Sequence, residues 1–255
     1  MIPLRKPADY APILMPLIVV AIWALAAAST SSPLFPGPAK VAQAIWHNFS
    51  TIMVQLGATL TRVVIGFAVA AAITVPLGIM LGRLRIIGQL FEPVMDMLAT
   101  LPPPAIVPLV MLFAGTGDAA KITMIAFAAA IPLLMNTYEA SKTQNEMANL
   151  VARSLRLSRF ETMLRVDLPA ALPMIATGVR MAVAAALLVS VTSEILLATD
   201  GIGVFLQRQQ ENFQIAGGLA GIFFISLTGL VVNTLILAFE KRWLFWHYRA
   251  QEDAK

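Results

Sequence analysis

The chain contains no cysteine. Disulfides, thiolate nucleophiles and thiolate zinc sites are therefore excluded. Charge is scarce too: 13% of the 255 residues are Asp, Glu, Lys or Arg, against about 25% in a soluble domain. So small a stock cannot cover a water-facing surface. Histidine occurs only at His47 and His247, and each lone ring reads as an interfacial residue rather than a ligand. There is no G-x-x-x-x-G-K-[ST] phosphate loop, no H-E-x-x-H and no G-x-S-x-G. No pair of carboxylates within the apolar runs suggests a proton relay. What remains is apolar: 58% of residues are hydrophobic and the mean hydropathy is +0.79. The chain reads as an all-α integral membrane protein. Its net charge of +4 is no nucleic-acid signature, because most basic residues flank apolar runs.

Six apolar runs are each long enough to cross about 30 Å of hydrocarbon. They cover about residues 11–28, 58–82, 94–114, 119–138, 174–198 and 217–240. About six transmembrane helices are expected, making a permease-like domain over 11–240 between a polar segment at 1–10 and a basic tail at 241–255. The first run also has the basic front of a signal peptide, but its length favours retention. Residues 29–57, with Pro33, Pro36 and Pro38, read as a connecting loop. The third run carries Pro102, Pro103 and Pro104, so it cannot be one straight helix. Residues 199–216 are too polar to span and are expected at the interface. With both ends on one side, 14 of the 18 Lys and Arg residues fall on that side. Arg180 is counted among them; only Lys40, Arg62, Lys121 and Arg208 fall on the other. By the positive-inside rule, the ends face the cytoplasm.

The same rule places the loop at 139–173 in the cytoplasm. It is the longest charge-bearing stretch between apolar runs, with Arg153, Arg156, Arg159 and Arg165. Met147, Leu150, Val151 and Leu155 share one face of a helix by three-and-four spacing. Leu168-Pro169 and Leu172-Pro173 are expected to interrupt the pattern. Three readings fit: topology-setting charges, a helix lying on lipid head groups, or a docking element for a cytoplasmic partner. In the fifth run, Ser190, Ser193 and Glu194 share a face with the small Ala182 and Ala186. That face either borders a transport pathway, or its hydroxyls bond their own helix while Glu194 sits at the outer surface.

Several short patterns then bear on the choice. Leu168-Pro169-Ala170-Ala171-Leu172-Pro173 closes the loop. Pro103-Pro104, Val107-Pro108-Leu109-Val110, Ala120-Lys121-Ile122, Ser193-Glu194-Ile195 and Gly201-Ile202-Gly203 recur along the rest of the chain. In these the chain resembles the permease subunit of a bacterial ATP-binding-cassette (ABC) importer, in the branch handling taurine, alkanesulfonates, nitrate or bicarbonate. The family's loop carries Glu-Ala-Ala and, a few residues later, glycine. Here Leu150-Val151-Ala152 stands at the triplet and Arg156 at the glycine. The turn is therefore expected either to be reshaped or to run on as helix, because glycine takes backbone angles strained for arginine.

The resemblance implies a multi-pass protein of the bacterial inner membrane that pairs with a second permease copy. ATP and magnesium would be held by two partner ATPase subunits, and no cofactor by this chain. A periplasmic or lipid-anchored binding protein would deliver a small solute, and no nucleic acid is involved. Coupling to the ATPase would fall to Leu150, Val151, Ala152, Arg153, Leu155, Arg156, Leu168 and Pro169. An ATP-independent channel or secondary carrier, and a membrane-embedded enzyme, are the rival readings. A small anion fits the branch. No cluster of arginines within the spans marks an anion site, which leaves a neutral heterocycle or a zwitterion open.

Overall fold

A computed structural model describes residues 11–245 apart from 31, 33, 143–149, 153 and 198, and among these every regular element is helical. The segment 1–10, Arg153 and the tail beyond 245 lie outside the described residues. The chain order is α1 (Ala11–Thr30), α2 (Pro38–Arg83), α3 (Arg85–Thr100), a 3-10 turn (Pro103–Ile106), α4 (Val107–Ala114) and α5 (Asp118–Lys142). There follow α6 (Arg159–Thr162), a π-helical turn (Met163–Asp167), α7 (Leu168–Leu197), α8 (Ile202–Glu211) and α9 (Ile215–Trp243). The helices at Pro38–Arg83, Asp118–Lys142, Arg165–Leu197 and Ile215–Trp243 are each long and apolar enough to cross a membrane. Ile86–Thr100 with Pro103–Ala114 forms a fifth candidate bent by 91°, and Leu14–Thr30 is a shorter apolar helix. The six expected spans thus resolve into four long helices, one bent pair and one short helix.

The bend has the expected cause. Leu101 and Pro102, each followed by proline, are held extended at ψ 119° and 120°. Two other proline readings are corrected. Residues 38–57, expected as loop, are the first turns of α2. Pro38 stands at the first helical positions after an extended Gly37, where its missing N–H and fixed φ favour a helix start. The two Leu-Pro pairs do not break the chain either, since α7 runs through Pro169 and Pro173 without interruption. The π turn just before them loosens the hydrogen-bond ladder where proline donors are missing.

The core is a three-helix packing of α2, α5 and α7 around Val63, Ala70, Ile125, Leu133, Ala182 and Ala186. Its closeness comes from a small residue at every fourth position of α2: Gly66, Ala70, Thr74, Gly78 and Gly82. A Cβ added at Gly66 would lie 2.6 Å from Ile125, and one at Gly78 would lie 2.8 Å from Thr137. The outer faces remain apolar and uncovered, as at Leu188, Leu230 and Leu235, which suits lipid or another helix.

Two layers of charge bracket the bundle. At one end Arg83 pairs with Asp167 at 3.4 Å, and Lys142 pairs with Glu92. At the other end lie Arg62, Asp118, Lys121, Glu194 and Asp200. Along α2, 21 residues separate Arg62 from Arg83, which is about 32 Å of helix and close to the thickness of bilayer hydrocarbon.

Candidate functional site

The loop-side end presents a short helical turn. Leu150, Val151 and Leu155 are more than half exposed, whereas Ala152 is 2% exposed and faces the body. Leu155 N–H donates to Val151 O at 3.0 Å, and Leu157 N–H donates to Ala152 O at 3.0 Å. The second bond spans six residues, the Schellman closure of a helix. It requires a left-handed residue at position 156, and Arg156 has φ 52°. Neither sequence expectation for Arg156 holds. The helix stops, and the turn keeps the backbone angle that glycine would supply. An arginine there carries the Cβ–carbonyl strain of the left-handed region.

Two residues on, Ser158 starts the next helix with a capping box. Its hydroxyl accepts from Glu161 N–H at 3.2 Å, while its own N–H reaches the Glu161 carboxylate at 2.9 Å. These bonds from Ser158 hold the Glu161 carboxyl below its ordinary pKa, the backbone bond counting most. The S-x-x-E spacing was readable in the sequence. Leu168 and Pro169 are half-buried at the start of α7, so the exposed apolar face comes from Leu150, Val151 and Leu155.

At the far end, the two motifs Ser193-Glu194-Ile195 and Gly201-Ile202-Gly203 prove to be halves of one unit. Glu194 is wholly buried. Its carboxylate accepts from Thr59 Oγ1 at 2.8 Å, Arg62 Nη1 at 3.1 Å and the Gly203 N–H at 3.0 Å. Thr59 in turn accepts from the Ile202 N–H at 3.0 Å. Gly201 sits at φ 111°, where a Cβ would strike the Glu194 carboxylate. Glycine is therefore required there for the angle and for the space.

Arg62 ties this unit to the rest. Nε donates to Asp118 at 2.9 Å and Nη2 to Asp200 at 2.7 Å. Lys121 completes the cluster at 3.0 Å from Asp118 and 3.5 Å from Asp200. The cluster joins α2, α5, α7 and the turn before α8.

Ser190 and Ser193 are buried and donate to Leu187 O and Ser190 O, carbonyls of their own helix. Glu194 is enclosed by protein. The sequence placed Arg62 and Lys121 on the outer side, with Lys121 in the Ala120-Lys121-Ile122 pattern, but marked none of Thr59, Arg62, Asp118, Lys121 and Asp200 as a site residue. The signal available was an arginine four residues inside an apolar run and an Asp-x-x-Lys step opening a helix. Within residues 199–216, expected at the interface, α8 packs Ile202 and Phe205 against Ile52 and Ala220.

No group of three or more His, Asp or Glu able to hold a metal occurs among the described residues. A multi-pass bundle with an uncovered apolar turn at one charged face has the build of a transport subunit that works with a partner. Residues 74–244 match the binding-protein-dependent transport system inner membrane component family, and the chain belongs to that family. It is 29% identical over 237 residues to the taurine transport system permease protein TauC of Escherichia coli (strain K12), covering 90% of this chain and 86% of that one. It is 32% identical over 191 residues to the bicarbonate transport system permease protein CmpB of Synechococcus elongatus, covering 74% and 68%. It is also 32% identical over 182 residues to the nitrate import permease protein NrtB of Leptolyngbya laminosa, covering 71% and 65%. The protein is thus a multi-pass inner-membrane permease subunit of an ABC importer, a class that works with an ATPase and a solute-binding protein.

Proposed function

We propose that two copies of this chain form the pathway of an ATP-driven importer for a small anion, such as a sulfonate, taurine, nitrate or bicarbonate. Both termini and the loop at 139–173 face the cytoplasm in this reading. ATP and magnesium are bound by the partner ATPase, and a binding protein delivers solute at the opposite face. The observation that carries the reading is the exposed turn at Leu150, Val151 and Leu155. Its C-terminal side is closed by the left-handed Arg156 and then by the Ser158–Glu161 box. Three exposed apolar side chains gain by entering a partner's groove. No acid stands at Leu150, so docking rests on apolar burial rather than on an ion pair.

The far-end cluster has a complementary part. Glu194, with Thr59 and Arg62, serves as a positioning unit that holds the outer turn on α2 and α5. Ser190 and Ser193 line the same buried face of α7, and the solute passes beside that unit. The test of coupling is Val151→Asp and Leu155→Asp in the importer complex. Each is expected to abolish ATP-driven uptake of radiolabelled taurine, nitrate or bicarbonate, whichever the unmutated complex carries, while the chain still inserts in the membrane. Full uptake in both variants is incompatible with a docking turn.

A further inference from the structure

Between α7 and α9, on the side away from the α2–α5 packing, runs a groove. One part, of about 540 Å³, is lined by apolar side chains such as Leu187, Val191 and Val232, with two polar exceptions, Arg180 and Asn233. It adjoins at Ile236 a second pocket of about 460 Å³ whose walls include Leu172, Phe239 and Trp243.

Arg180 does not belong to the inner charge layer, where the sequence count had placed it. It lies 13 residues from Asp167 and 14 from Glu194 along one helical run. That is about 20 Å from either layer, too far for its side chain to reach water by snorkelling along the helix. It is half-buried, and it makes no hydrogen bond or ion pair among the described residues. No carboxylate lines its part of the groove.

An ionised side chain at mid-membrane depth is costly and normally pairs with a protein group or faces a water-filled path. Among the described residues no counter-charge pairs with it. We propose that Arg180 and Asn233 form a transit site for a small oxyanion, one nitrate, bicarbonate or sulfonate group at a time. A guanidinium presents parallel N–H donors that match two oxygens of such a group. The Asn233 amide adds a donor from the facing helix. The other walls are apolar and offer the anion no competing polar partner. The groove's carboxylate, Glu240, lines the adjoining pocket, seven residues beyond Asn233 and about 10 Å further along α9. The site rests on the importer reading and assigns that importer's solute class to two residues.

The cysteine-free chain makes the test direct. The complex of permease, ATPase and binding protein is reconstituted in proteoliposomes, and ATP-driven uptake of taurine, nitrate and bicarbonate is measured. Arg180→Gln is expected to lower uptake of the carried anion on the order of 10- to 100-fold, with the ATPase still co-purifying. In Arg180→Cys, coupling to a methanethiosulfonate that adds an ammonium group restores uptake, and a neutral methyl reagent does not. Uptake at the unmutated rate in both variants overturns the site. So does equal rescue by the neutral reagent. An unmutated complex that couples ATP to a solute lacking an oxyanion group and carries none of the three overturns the site but leaves the importer reading standing. Solute movement without nucleotide overturns the importer reading itself. Should Arg180→Gln fail to insert, Gly229→Leu is the second variant. Its added side chain enters open space on the groove wall and is expected to slow uptake about tenfold; unchanged uptake counts against the site.

Discussion

Removing Arg62 and removing Glu194 should have unequal effects, although the two side chains touch. Arg62 is 6% exposed and Glu194 0%, so neither is relieved by solvent. At 3.1 Å and an effective dielectric near 20, their attraction is about 5 kcal/mol. Arg62→Met leaves the Glu194 charge sealed in protein with only the Thr59 hydroxyl and the Gly203 N–H. An uncompensated buried charge of this kind costs about 3–5 kcal/mol. In Glu194→Gln the amide oxygen still accepts from Gly203, and Arg62 keeps Asp118 and Asp200. The loss is then one charge-assisted bond, about 1–2 kcal/mol. The double variant removes both charges and should fall short of the sum by about 2 kcal/mol. Thermal unfolding of the detergent-solubilised chain reads all three. For a chain of this size, each kcal/mol corresponds to about 2–4 °C, so Arg62→Met should lower Tm on the order of 10 °C and Glu194→Gln by about a third of that. Equal and small shifts for the two single variants, with additive behaviour in the double, would refute the sealed cluster.

Two further outcomes follow from local geometry. Arg156→Gly should be more stable than Arg156→Ala by about 1 kcal/mol, because only glycine escapes the left-handed strain; paired Tm measurements check it, and equal values would mean the turn is not left-handed. Glu161 titrates below its ordinary pKa, so its contribution to the α6 start is present above the unfolded value of 4.5 and is lost as pH falls through the lower folded value. Amide-exchange protection at 159–162 should therefore drop in acid in the unmutated chain, whereas Ser158→Ala, which loses the hydroxyl but keeps the backbone donor, should lower protection at Glu161 N–H at every pH and still show the drop in acid.

The bundle was legible in the sequence wherever the signal was local and unipolar. Long apolar runs gave the helices, and three successive prolines gave the bend, because each of these acts on its own backbone. Proline misled where its effect depends on position. Pro38 opens a helix because an extended glycine precedes it, and Pro169 and Pro173 sit in one because a π turn has already loosened the ladder. Gly66, Ala70, Thr74, Gly78 and Gly82 were legible as a fourfold spacing of small residues, yet what they approach is set by α5, over 40 residues away. The Glu194 cluster draws on positions 59, 62, 118, 121, 200 and 203. Its members come together through packing, which no window of sequence contains. Arg180 was misplaced for a related reason. A count of basic residues assigns sides from the ends of apolar runs, and α7 starts several residues before its apolar run does.

The two charged ends differ in a way that bears on how a push at one could be felt at the other. The loop end has two partly exposed ion pairs, Arg83–Asp167 and Lys142–Glu92, the kind that contributes little and breaks readily. The far end has a buried, multiply bonded cluster that joins α2, α5, α7 and the α8 turn. Force applied to the Leu150–Leu155 turn would therefore meet a loose joint first and a fixed one last. Helices pinned at the far end and free at the loop end can splay only at the loop end. The groove between α7 and α9 would then widen most at its loop end, near Leu172 and Trp243, and about half as much at Arg180, while the outer turn stays seated on Glu194.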